Sequence, residues 1–157
     1  MSHEDFTRVC GPVFEQSPWV AADVAGRRPF QELDALLGAM CDRVRGASVE
    51  EKLALIRAHP DLVGPMTMTD ASRREQAGAG LTALSEPEIE WFQRQNAAYR
   101  QRFGFPFIIC ARLNRKEAIV AGFANRLHHS REQELETALE EIFKIAELRL
   151  RDLCPEH

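Results

Sequence analysis

The chain's most reactive-looking arrangement is an imidazole at a forced helix end, followed by a hydroxyl, a carboxylate and an amide grouped on the next helix. His59-Pro60-Asp61-Leu62 supplies the first part and Ser72-Arg73-Arg74-Glu75-Gln76 the second. Proline at 60 disfavours helical geometry at His59 and offers no backbone donor, so a helix beginning near Ser48 should stop there with its free carbonyls beside the ring. A helix C-terminus favours the protonated imidazole and suits it to general acid/base work near neutral pH. Ser72, Glu75 and Gln76 stand at i, i+3 and i+4, so all three can face one small ligand. The chemistry suggested is proton transfer on a small polar molecule.

The elements that must position these groups read as helices. Phe6 to Cys10 is a short amphipathic piece broken by Gly11-Pro12. Val13 to Glu15 and Pro18 to Val24 give two more short helical segments that pack through Phe14 and Trp19. From Pro29 to Gly46, Phe30, Leu33, Leu36, Leu37, Met40 and Val44 recur at three- and four-residue intervals and predict one long helix. Capping boxes at Ser48, Ser85 and Ser130 open three others, and Thr69 or Asp70, at the end of a Met66 to Asp70 loop, caps the Ser72 helix. The Ser85 helix carries Ile89, Phe92, Asn96, Tyr99 and Phe103 inward and stops at Gly104. Asn96, an amide in an apolar stripe, reads first as a core group satisfied by backbone, with ligand contact as the alternative. Asn114 to Leu127 gives a further helix, and His128-His129 read as solvated turn residues.

Phe105 to Ala111 is the exception. It is aromatic, β-branched and short, and Pro106 removes one donor. No second stretch of similar quality offers a ladder, so its backbone must bond elsewhere, either to neighbouring loops or to a ligand rich in N–H and C=O groups. The last helix raises a second question of pairing. Arg149 falls on the stripe of Leu135, Ala138, Leu139, Ile142, Ile145 and Ala146, and a buried arginine requires a carboxylate from the protein, such as Glu75, or from a ligand.

Bulk properties limit the function. The 157 residues, 45% hydrophobic and 28% charged, suit one domain with a proper core. The fold expected is an all-α, single-domain bundle of about eight helices over residues 1–157, with one extended segment near 105–111. A net charge of -4 leaves no basic surplus for phosphates, which argues against nucleic acid. Apolar runs are too short to span a membrane and Glu4 and Asp5 stand where a signal peptide would be basic, so a cytoplasmic protein without membrane association is expected. The four cysteines form no C-x-x-C pair and the five histidines no ligand spacing, so no metal is implied and the thiols read as small buried hydrophobes.

Taken together, several stretches resemble the 2-oxo-4-hydroxy-4-carboxy-5-ureidoimidazoline (OHCU) decarboxylases of purine degradation. They are Phe14-Glu15 with Ser17-Pro18-Trp19, Arg28-Pro29-Phe30, the tetrad His59 to Leu62, Ser72-x-x-Glu75-Gln76 with Ala79-Gly80-Leu81, Asn96-x-x-Tyr99, Phe103 to Ile108, and Glu134 to Leu150. The tetrad alone is weak; in this order with the others it is specific. The loop between Leu62 and Ser72 is shorter than in longer relatives, and the chain ends Cys154-Pro-Glu-His without a peroxisomal tripeptide.

The resemblance implies an all-helical homodimer that needs no cofactor and converts OHCU to (S)-allantoin. It casts His59 as catalytic acid/base and Glu75 as its catalytic companion. It lines the substrate site with Pro60, Ser72, Arg73, Arg74, Glu75, Gln76, the backbone of Phe107, Ile108, Ile109, Cys110 and Ala111, and Arg149. Two other readings stay open on the residues alone: a non-catalytic helical dimerisation or binding module, with His59 a core or turn histidine, and a cofactor-free ureide hydrolase or isomerase.

Overall fold

A computed structural model of the chain describes residues 2–63 and 69–154. Among these residues the regular structure is helical, with eight α-helices and no strand. The chain divides into two compact units, residues 1–58 with 143–157 and residues 59–142. The Met66 to Asp70 loop and the C-terminal tail therefore fall largely outside the described residues.

The first unit contains α1 (His3–Cys10), α2 (Trp19–Val24), α3 (Leu33–Arg45) and α4 (Val49–Arg57), with 3-10 turns at Gly11–Val13 and Ala25–Arg27. Ser2 caps α1 through its hydroxyl, and Ser48 and Glu51 form the expected capping box on α4. α1 packs on α2 and α2 on α3 around Phe6, Val13, Phe14, Val20, Val24, Met40 and Val44, all buried. A Cβ on Gly11 would come within 3.2 Å of the Pro18 side chain, so a larger residue at the bend after α1 would have to push Pro18 back by a few tenths of an ångström. Arg43 ties the unit's surface together: it reaches Asp23 at 2.9 Å and Glu51 at 3.1 Å and lies over the Trp19 ring.

Two expectations are corrected in this unit. Val13 to Glu15 is not helical, because the 3-10 turn ends at Val13 and Phe14 is already extended, at φ -104° and ψ 123°. The long helix starts at Leu33 rather than Pro29, and Phe30 lies half-exposed before it. Periodicity cannot distinguish Phe30 as the first apolar residue of a helix from Phe30 as a residue of the preceding connector.

The second unit holds α5 (Asp70–Gly78), α6 (Glu86–Phe103), a 3-10 turn at Ala111–Leu113, α7 (Lys116–Arg126) and the part of α8 (Arg131–Leu153) up to Ile142. Its core is aromatic. Phe92, Tyr99, Phe103, Phe105, Phe107 and Phe123 are each no more than 2% exposed, and Phe107 stacks on Phe123 with centroids 3.9 Å apart. Gly104, at φ 83°, adopts the left-handed conformation that ends α6, and the chain then runs extended from Phe105 to Cys110. α7 starts two residues later than expected, since Asn114 turns its side chain to the Cys110 carbonyl at 2.9 Å instead of capping the helix.

Candidate active site

α4 ends at Arg57 with Ala58 as its cap, so His59 follows the last carbonyls of the helix as the Pro60 rule requires. The ring is buried at 6% exposure. Side chains from two later helices hold the turn that follows it. Gln76 accepts the Val63 N–H at 2.9 Å and places its amide nitrogen 3.5 Å from the Asp61 carbonyl. Asn96 donates to the Leu62 carbonyl at 2.9 Å, and Arg100 Nε lies 3.0 and 3.3 Å from the two Asp61 oxygens. Asn96 is thus the backbone-satisfying core amide that its position suggested. Val63 has φ 54°, a left-handed conformation that strains a β-branched residue by about 1–3 kcal/mol. These bonds hold it there.

On α5, capped by the Thr69 hydroxyl, Ser72 and Gln76 are buried and Glu75 is half-buried. Arg73 and Arg74, on the intervening positions, are exposed, and Arg73 lies 3.6 Å from Asp70. The helix therefore groups the hydroxyl, carboxylate and amide as their spacing implied and turns both guanidiniums to the surface. α5 also packs on the 3-10 turn at Ala111–Leu113. Burial pushes the Cys110 thiol above its ordinary pKa; the nearby Glu141 and Glu75 carboxylates add to the rise, and backbone N–H groups of Leu113 and Arg112 oppose it. The turn after His59, α5 and the end of the extended segment are thereby brought together.

The extended segment has no ladder, as expected, and its backbone bonds to side chains. Arg126 donates through Nη1 to the Ile108 carbonyl and through Nε to Glu134 at 2.8 Å. Glu134, fully buried, also accepts from the Tyr99 hydroxyl and lies 2.8 Å from His129 Nδ1. Burial, joined by the hydrogen bond to Glu134, pushes the Tyr99 phenol well above its ordinary pKa. Further along, Glu141 accepts the Cys110 N–H at 3.1 Å. His129 is therefore more than a solvated turn residue, because the half-buried ring joins this network. The sequence reading missed Arg126, Glu134 and Glu141. The signal for two of them was available: Glu134 and Glu141 fall on the same α8 stripe as Ala138, Ile142 and Ile145.

Arg149 is buried, at 7% exposure, and belongs to the first unit. An internal acid, Glu15, lies at 3.5 Å, and Nη1 donates to the Pro12 carbonyl at 3.2 Å. Both partners come from the connection between α1 and α2, more than 130 residues away in sequence, a separation that α8 periodicity cannot see. Among the described residues no cluster of histidine, cysteine and acidic groups could hold a metal ion, and no helix is long and apolar enough to cross a membrane.

Comparison with known proteins extends these findings. The profile of the OHCU decarboxylase family matches residues 1–151. The 2-oxo-4-hydroxy-4-carboxy-5-ureidoimidazoline decarboxylase of Haloferax volcanii is 45% identical over 152 residues, covering 97% of this chain and 90% of the relative. That of Amia calva is 43% identical over 164 residues, covering 99% and 92%. A crystal structure of (S)-allantoin synthase superposes with a TM-score of 0.79 at 30% identity, over 98% of this chain and 51% of the other. A match that runs through both units and through every stretch that shapes the His59 turn leaves one placement: the chain belongs to the OHCU decarboxylase family.

Proposed function

We propose that this chain is a carboxy-lyase that converts OHCU to (S)-allantoin in urate degradation, with His59 as acid/base and Glu75 as its catalytic companion. The observation that carries this reading is the clamped turn: Gln76 fixes the residues after His59 to the same helix that presents Ser72 and Glu75. An imidazole and a carboxylate held on rigid elements can orient one small substrate.

The reaction suits side-chain catalysis. The bond from the hydroxyl-bearing carbon to its carboxylate breaks, and the electron pair forms a double bond to the neighbouring, ureido-bearing carbon as the adjacent C=N takes electrons onto nitrogen. CO2 leaves, the nitrogen takes up a proton from solvent, and a neutral enol remains. The enol loses its hydroxyl proton to become a carbonyl as a proton reaches the ureido-bearing carbon, and the face it reaches fixes the product's chirality. His59 would handle the hydroxyl proton and assist delivery to one face, while Glu75 would accept from the ureido N–H groups. Pro60, Ser72, Gln76 and the backbone of Phe107 to Ala111 would line the site. Arg73 and Arg74, exposed on α5, would act at its rim on the anionic substrate.

On the same reading residues 1–157 act as one catalytic domain, in a cytoplasmic homodimer. The test is a spectroscopic assay of freshly generated OHCU, comparing its loss with the spontaneous background and following the optical activity of the product. Loss at the background rate with racemic product defeats the proposal.

A further inference from the structure

Behind the extended segment lies a buried ion pair that touches neither His59 nor Glu75. Arg126, at 7% exposure, and Glu134, at 0%, sit in the aromatic core, a costly place for two charges unless they do something hydrocarbon could not. Arg126 bonds to Glu134 and to the Ile108 carbonyl, and its guanidinium lies 4.2 Å from the centre of the Phe107 ring. One group therefore grips the segment twice, by its backbone and by the face of its ring.

The grip has a directional consequence. The peptide bonds on either side of Ile109 are trans, so each N–H points away from the carbonyl of the same plane. With the Ile108 carbonyl turned to Arg126, the Ile109 N–H must point away from it. With the Cys110 N–H turned to Glu141, the Ile109 carbonyl must point away from α8 as well. Glu134 and Glu141 are two helical turns apart on one face of α8, so both constraints act from the same side. Among the described residues no group of the chain bonds to the Ile109 N–H or C=O. Ile109 is also the one residue from Phe105 to Ala111 that is not fully buried.

We infer that Arg126, held by Glu134, is a positioning residue that sets the orientation of the Ile108–Ile109 peptide, so that the donor and acceptor of Ile109 are presented together to an amide-bearing substrate. The inference rests on the proposed function. A ureide carries N–H and C=O side by side and can pair with that edge as a neighbouring strand would. Such pairing is made equally in ground and transition states, so its loss appears in KM rather than kcat.

Arg126→Lys keeps a cation for Glu134 but lacks the fork needed to hold Glu134 and the Ile108 carbonyl together. The expected result is a rise in KM for OHCU of about tenfold with kcat within about threefold of wild type, the size of effect that one well-placed hydrogen bond supports. Val44→Ala, a core truncation in the first unit, serves as a control for lost stability and should leave KM unchanged. Should Arg126→Lys fail to fold, Arg126→Met/Glu134→Gln removes the buried charges while leaving the Tyr99 hydroxyl an acceptor, and the same KM rise is expected. KM within twofold of wild type in the folded variant, or an equal rise in Val44→Ala, overturns the inference while leaving the decarboxylase reading intact. Wild-type protein that does not accelerate OHCU loss removes both.

Discussion

His59 stands two positions beyond the end of α4 with its ring buried, so its chemistry is best tested by a polar residue of similar size. His59→Asn preserves polarity and approximate size but cannot cycle a proton near neutral pH. We expect OHCU turnover to fall to the spontaneous rate with unchanged helical circular dichroism, and optically active allantoin from this variant would refute the assignment. The thiols are a second test at this scale. Cys10, Cys41 and Cys110 are buried, whereas Cys154 is half-exposed, and burial raises the pKa of Cys10 and Cys110. At pH 8 one thiol, Cys154, should react promptly with a disulfide reagent and the other three only on unfolding. Fast native labelling of Cys110 would contradict the packing around the extended segment. The placement of His59 just beyond α4 was legible because Pro60 dictates the local backbone. Arg126 was not, because its partners lie on Ile108 and Glu134, which no local pattern connects to it.

The capping boxes at Ser48, Ser85 and Ser130 each involve a side chain and a backbone three residues apart, so the helix starts could be read from the sequence. What could not be read is how one helix holds another's loop. Gln76 looked like one of three groups facing a ligand, yet its amide is engaged with Val63 and Asp61. Gln76→Leu would leave the Val63 N–H without its acceptor and release the strained φ at Val63, so we expect a loss of about 1–3 kcal/mol in stability and a fall in kcat as the His59 turn relaxes. Gln76→Glu keeps the acceptor and should recover most of the kcat. Equal kinetic loss in both variants would instead favour direct substrate contact. The pair of Arg149 and Glu15 was half legible: burial of a cation on the α8 stripe demanded an acid, but only the structure supplies which. Both groups are nearly inaccessible, so Glu15→Ala, which removes a buried carboxylate from beside the guanidinium, should destabilise the protein by about 3–5 kcal/mol in urea unfolding.

Over the whole molecule, titration sets the pH range in which the fold holds, and the sign follows from which state binds protons more tightly. Glu88 is lowered from 4.5 to about 2, first by the hydrogen bond from Lys116 and then by the backbone and hydroxyl of Ser85. The bond to Lys116, 2.8 Å long, ties the start of α6 to the start of α7, two helices that carry Asn96, Tyr99 and Arg126. A carboxylate with a depressed folded pKa contributes stability above its unfolded value, and that contribution is lost as the pH falls through the folded one. For Glu88 the window runs from 4.5 down to about 2. Glu51 is lowered in the same direction by Ser48 and Arg43 and adds to the slope in the first unit. The buried thiols act at the other extreme. With its pKa raised above 9.0, the Cys110 thiol contributes below that value and its contribution disappears as the pH rises through the folded pKa. Urea midpoints should therefore be flat near neutrality and fall steadily below pH 4.5. Lys116→Met, which removes the first-named cause, should lower the neutral midpoint slightly and flatten the acid slope. An acid slope identical to wild type would mean that the pair is screened by solvent and that other carboxylates govern acid unfolding.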